Sequence, residues 1–237
     1  MDTNDEELRV AQLIQQQFLP RRLPALPGWT FAAHYQPARE VGGDFYDVTA
    51  LPGGLIGLAV GDVAGKGIPA ALLMATTHSV LRAEAYRLIS PGSVLARVNA
   101  QLVQEMPPAM FVTCFYLVLD PRNGRLRYAN AGHCLPYQRT HIGVVELSAS
   151  GMPLGLMPGM VYEEHDTCLL VRLSDTELEG LVHQRVEPVV ALDGQRIVAR
   201  DHAHGHAQRT QVERVDAVLA DRSVVERSER RGAAVGM

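Results

Sequence analysis

Apolar residues near the start of the chain fall at Val10, Leu13, Ile14 and Phe18. That spacing predicts an amphipathic helix over 5–19, with Glu6-Glu7 and Gln15 to Gln17 largely off the stripe and Leu19-Pro20 ending it. Pro24 to Pro27 reads as a linker. Trp29 to Tyr35 alternates and predicts a strand, and Asp44 to Val48 predicts a second. Leu55 to Val60 is a short unbroken apolar run, bounded by turn signals at Pro52-Gly53-Gly54 and at Gly65, and reads as a buried strand reaching Asp62. Ile68 to Leu88 predicts a long helix. Its Ala71, Leu72, Ala75, Ser79 and Ala83 form a small-residue face suited to close packing on a sheet. Ser90 caps and Pro91 starts a further helix with Val94, Leu95, Val98 and Leu102 as its apolar face, and Pro107-Pro108 ends it.

Phe111 to Leu119 predicts a strand. A turn at Asp120-Pro121-Arg122-Asn123-Gly124 returns the chain along Arg125 to Asn130. Shorter strands are expected at Leu135 to Arg139, Val144 to Leu147 and Cys168 to Leu173. From about Arg185 the pattern fades. Val189 to Val198 has room for a strand or two, and 200–237 is expected to be disordered or weakly helical. Three parts follow: a helix at 1–23, a core at 24–184 and a tail at 185–237. Periodicity alone supports a mixture of α and β.

The 237 residues are 47% hydrophobic with a net charge of −4, which suits one globular core of ordinary size. No basic face is implied, so nucleic acid is not expected as a partner. No apolar run approaches membrane-spanning length and no signal-peptide pattern opens the sequence, so no membrane partner is expected. Cys114, Cys134 and Cys168 have neither metal-site nor disulfide spacing, and a reducing cytoplasm is the natural setting. Lys66 is the one lysine in the chain, and it stands close to Asp62. His202, His204 and His206 form a run that reads more simply as a polar tail than as a metal site.

The candidate chemistry lies in Val41-Gly42-Gly43-Asp44-Phe45-Tyr46-Asp47 and in Gly61-Asp62-Val63-Ala64-Gly65-Lys66-Gly67-Ile68-Pro69. A hairpin between the two strands would bring Asp44 and Asp62 together. Convergent carboxylates repel unless a proton or a cation lies between them, and carboxylate oxygen suits Mg²⁺ and Mn²⁺. Turn capping is the competing role for these aspartates. Gly61 to Gly67 also invites comparison with a nucleotide-binding loop. Its glycine spacing is too short, however, and no Ser or Thr follows the lysine.

Five segments in order resemble the SpoIIE/RsbU group of bacterial PPM-type (type 2C-like) serine/threonine phosphatases: Val41–Asp47, Gly61–Ala75, Phe111–Thr113, Asn130–His133 and Gly151–Gly155. The resemblance covers about residues 7–180. It implies an α+β fold, the four-layer αββα sandwich of the PPM type, incomplete at the C-terminal end. It also implies hydrolysis of phosphoserine or phosphothreonine with two Mn²⁺ or Mg²⁺ ions. Asp62 would bridge the ions, the Val63 carbonyl would fill one coordination position, and Asp44 would ligate directly or through water. Asp47 is a weaker candidate, as readily a turn acid. Asn130 and His133 bracket a turn near the sheet end, and either hold it by hydrogen bonds or take part in catalysis. The implied substrate is a phosphorylated STAS-domain anti-sigma-factor antagonist. The first helix either packs on its own domain or serves as a signalling or homodimer helix. With only a handful of residues before it, no sensor domain is expected on that side.

The pattern departs from the family after Ser174-Asp175-Thr176. Glu179-Gly180 aligns with a metal-binding Asp-Gly only if the preceding strand is shortened, which makes Glu179 the weakest of the implied ligands, and no terminal Asp-Asp pair follows. A second reading therefore stays open: a phosphatase fold that binds a phosphoprotein without turnover.

Overall fold

The computed structural model describes residues 3–27, 29–37, 40–140, 143–169, 189–192, 195–199 and 214–218. The chain opens with α1 (Thr3–Gln15) and β1 (Ala32–Gln36), followed by the hairpin of β2 (Phe45–Leu51) and β3 (Leu55–Val63). Two helices come next, α2 (Ile68–Arg87) and α3 (Pro91–Glu105). Then follow β4 (Val112–Asp120), β5 (Arg125–Ala131), β6 (Pro136–Thr140), β7 (Gly143–Glu146) and β8 (His165–Cys168). The last described elements are β9 (Val189–Leu192), β10 (Gln195–Ala199) and β11 (Arg214–Val218).

A five-stranded antiparallel sheet in the order β2-β3-β4-β5-β8 forms the centre. The β2–β3 turn is a single 3-10 turn at Pro52–Gly54, in which Gly53 and Gly54 take φ of 74° and 76°. Side chains rarely adopt that left-handed backbone, and glycine meets no steric cost there. Helix α2 packs on β2 and β3, α3 packs on β4 and β5, and the two helices pack on each other. Phe45, Met74, Leu81, Leu95, Leu117, Leu119, Leu126 and Leu154 are the largest fully buried side chains, so the helix–sheet seam is the main core.

Two further sheets complete the described chain: β7-β6-β10-β9, and β1 paired with β11. The buried side chain of Gln138 on β6 ties this layer to the central sheet. Its amide donates to the Cys168 carbonyl (3.0 Å) and accepts from the Thr167 hydroxyl (3.0 Å). The α+β layering agrees with the fold expected from the resemblance. Among the described residues, no helix is long and apolar enough to cross a membrane.

Helix α3 starts and packs as its sequence predicts. Ser90 accepts from the Ser93 backbone N–H, Pro91 occupies the first turn, and Val94, Leu95, Val98 and Leu102 are buried. Two other helices differ from expectation. On α2 the buried face runs through Ala70, Met74, Thr77, His78, Leu81, Glu84 and Ala85, while Leu72, Ser79 and Ala83 are exposed. The rotation has a polar cause. His78 and Arg82 reach Asp47 on β2, and Glu84 accepts from Gln101 of α3 (2.7 Å). Helix α1 ends at Gln15, and its apolar residues Val10, Leu13 and Ile14 are 51%, 60% and 57% exposed. Gln15, expected off the buried stripe, is itself buried, as is Leu19. In the tail, β9 and β10 fall within Val189 to Val198, and β11 lies inside the stretch expected to lack regular structure.

Candidate metal centre

The register of the β2–β3 hairpin sets the site. Phe45, the first residue of β2, pairs with Gly61 of β3, so Asp44 immediately precedes that pair on one strand and Asp62 immediately follows it on the other, at the hairpin's open end. Asp44 is 7% exposed, Val63 is buried, and Asp62 keeps partial exposure. A third strand backs the same end: Asp62 pairs with Thr113, and Val63 with Val112 of β4.

Gly43 brings the two acidic segments into contact. A Cβ placed there would lie 2.8 Å from the Val63 carbonyl oxygen and 3.2 Å from the Val63 Cβ. Only a residue without a side chain lets the loop carrying Asp44 settle on the Val63 carbonyl. Two carboxylates and a main-chain carbonyl are hard oxygen donors, the set that Mg²⁺ and Mn²⁺ prefer. Asp44, Asp62 and Val63 thus share one end of one hairpin, and their chemistry fits a divalent ion. Glu179, the remaining expected ligand, lies outside the described residues, as do His202, His204 and His206.

A polar relay supports Asp62 from behind. The Thr113 hydroxyl lies 3.3 Å from the Asp62 carbonyl oxygen and 2.9 Å from His133 Nδ1. Burial lowers the His133 pKa to about 4, so the ring is neutral near pH 7. Asn130 fixes the turn that carries the histidine. Its side chain accepts from the His133 backbone N–H (2.8 Å) and donates to the His133 and Ala149 carbonyls (2.8 and 3.1 Å). Turn-holding, one of the roles expected for Asn130, is visible in this geometry. The Phe111–Thr113 motif marks Thr113 in the sequence, but nothing in periodicity shows that Asp62 is its cross-strand partner.

Asp47 belongs to a different face. Its partner across the hairpin is Ala59, and its carboxylate accepts from Thr49. It lies 3.8 Å from His78 Nε2 and 3.6 Å from Arg82 Nε. Burial lowers the His78 pKa, against the opposite pull of Asp47. This cluster fastens α2 to β2 and stands apart from Asp44 and Asp62. Lys66 is exposed, on the turn between β3 and α2.

Comparison with known proteins bears on the family and the fold. The family described as Stage II sporulation protein E (SpoIIE) matches residues 52–221. The phosphoserine phosphatase RsbU of Bacillus subtilis is 30% identical over 162 residues, covering 68% of this chain and 48% of that protein. A crystal structure of RsbU and RsbW domains from Mycobacterium tuberculosis matches with a TM-score of 0.59 at 29% identity, covering 65% of this chain and 44% of that one. The PP2C domain of SiaA from Pseudomonas aeruginosa shares the fold, with a TM-score of 0.60 at 23% identity, over 70% of this chain and 67% of that one. The chain spans less than half the length of the curated relatives it matches first.

Proposed function

Because the chain belongs to the SpoIIE family of PPM-type phosphatases, we propose that it is a Mn²⁺- or Mg²⁺-dependent hydrolase of phosphoserine or phosphothreonine on a regulatory protein. The observation that supports the reading is the position of Asp44 and Asp62 next to the paired Phe45 and Gly61, with Gly43 seated against Val63. In this reading Asp62, the Val63 carbonyl and Asp44 would hold the ions. Glu179, outside the described residues, would supply a further carboxylate. Ions held there would lower the pKa of a bound water and offset the charge of the phosphoryl group. The chain's own part is to hold these oxygens fixed. Thr113 and His133 steady the Asp62 backbone, and the buried position of Asp44 keeps competing water away from its carboxylate.

The substrate we propose is a phosphorylated STAS-domain protein in a cytoplasmic pathway that regulates a sigma factor. The likeness to an RsbU phosphoserine phosphatase and to an RsbU domain supports that choice. The test pairs calorimetric titration of Mn²⁺ into metal-free full-length protein with turnover of a phosphoserine STAS-domain protein, for wild type, Asp44→Ala and Asp62→Ala. We expect metal binding and turnover in wild type. Asp62→Ala should lower turnover at least about 100-fold, in keeping with loss of a metal ligand, and chelation should abolish it. Turnover that survives both chelation and Asp62→Ala would refute the metal mechanism. Binding of the phosphoprotein without any turnover would establish the binding-module reading instead.

A further inference from the structure

The end of α1 carries a buried polar side chain that the proposed mechanism does not use. Gln15 is 5% exposed. Its amide nitrogen donates to the Gly42 carbonyl at 2.6 Å, and its amide oxygen accepts from the Gly42 backbone N–H at 3.0 Å. The Tyr35 hydroxyl makes a longer contact of 3.5 Å to the same oxygen. One side-chain amide thus pairs with both main-chain groups of one residue, 27 positions away in sequence. The two bonds fix the peptide planes on both sides of Gly42. The second of those planes leads directly into Gly43, the residue seated on the Val63 carbonyl, and then to Asp44.

Two consecutive glycines give a backbone wide conformational freedom. A carboxylate at the end of such a segment binds an ion weakly unless something else restricts the segment. Docking of α1 alone needs only apolar contact, and a buried amide is costly unless it is fully paired. Here the pairing is directed at the one loop that delivers Asp44. We propose that Gln15 is a positioning residue for the metal centre, locking Gly42-Gly43 so that Asp44 faces Asp62 and the Val63 carbonyl before any ion arrives. The inference rests on the metal-phosphatase reading above, and it adds a residue from the N-terminal helix to that site.

The test uses the full chain. Gln15→Met fills the same volume and removes both bonds. Gln15→Glu keeps the acceptor for the Gly42 N–H and loses the donor to the Gly42 carbonyl. Calorimetric titration of Mn²⁺ into metal-free protein is expected to show affinity weakened about 10- to 100-fold in Gln15→Met, the usual effect of losing a partner that orients a ligand. Gln15→Glu should fall between Gln15→Met and wild type. In turnover, KM for the phosphoprotein should be unchanged once Mn²⁺ is saturating, a split that a general loss of fold would not produce. In unmutated metal-free protein, hydrogen exchange at the Gly42 amide should be slow. Mn²⁺ affinity within twofold of wild type in folded Gln15→Met overturns the proposal, whatever happens to Tm, as does a Gln15→Glu weaker than Gln15→Met. Unprotected exchange at Gly42 in the metal-free wild type also overturns it and needs no variant to fold. Absence of Mn²⁺ binding in wild type overturns the metal reading and this inference together. Wild-type binding with an unaffected Gln15→Met overturns the inference alone.

Discussion

His133 shows how one side chain records its surroundings in the pH dependence of the whole protein. Burial takes its pKa to about 4, whereas an unfolded histidine titrates near ~6.5. Between those values the unfolded chain binds a proton that the folded chain does not, so stability falls as pH drops through that window. Above the upper value this group has no effect. His78 acts with the same sign, because burial lowers its pKa as well. Replacing His133 with Gln should therefore flatten the fall in urea-unfolding free energy between pH 7 and pH 5 without abolishing it. Equal pH slopes in wild type and His133→Gln would show that the ring is not buried neutral. At this scale the sequence was only partly informative. The hairpin that places Asp44 and Asp62 at one end was legible, because a short turn between two strands sets their register. Thr113 behind Asp62 was not, since pairing between β3 and β4 spans two helices and no local rule sets it. Gln15 was missed because apolar patterning gives no weight to a residue buried through its amide.

At the scale of elements, the same contrast appears between helices. The buried face of α3 is aliphatic, so its spacing alone identified Val94, Leu95, Val98 and Leu102. The buried face of α2 includes Thr77, His78 and Glu84, whose burial depends on partners elsewhere in the chain. A polar contact also governs how α3 holds the segment after β7. Asn99, 1% exposed, accepts from the Gly155 backbone N–H and donates to the Met157 carbonyl, both at 2.8 Å. Within that segment Leu154 exchanges two backbone bonds with Val112, the β4 residue opposite Val63. Asn99→Leu keeps the volume and leaves the Gly155 N–H without its acceptor. The expected loss is about 1–3 kcal/mol of stability, read by urea unfolding. A change of less than a few tenths would mean that the segment finds other partners.

For the molecule as a whole, the strands drawn from the tail decide how the sheets are completed. β10 pairs with β6, and β11 pairs with β1. A chain ending at residue 185 would leave β1 and β6 with open edges, which are templates for association. Such a truncation is expected to lose cooperative unfolding and to aggregate, as judged by size-exclusion chromatography and thermal melts. A monomeric 1–185 with the full chain's melting behaviour would show that the tail strands are dispensable. The tail's role was not legible beforehand because its strands are short and carry little apolar periodicity. β9 and β10 fall where Val189 to Val198 has room for strands, but their pairing, and β11 itself, follow only from the edges they meet.

The β1–β11 pair has a further consequence during synthesis. Ala32 on β1 waits for Val218 as its partner. At translation rates of roughly 5–20 residues per second, the interval between the two is roughly 10–40 s. Through that time the hairpin bearing Asp44 and Asp62 can form on the ribosome with both of its strands already made, while the neighbouring strand stays unmatched. The nascent chain would hold the hairpin of the proposed ion site before it is a finished protein, and any chaperone that attends it has the edges of β1 and β6 to shield.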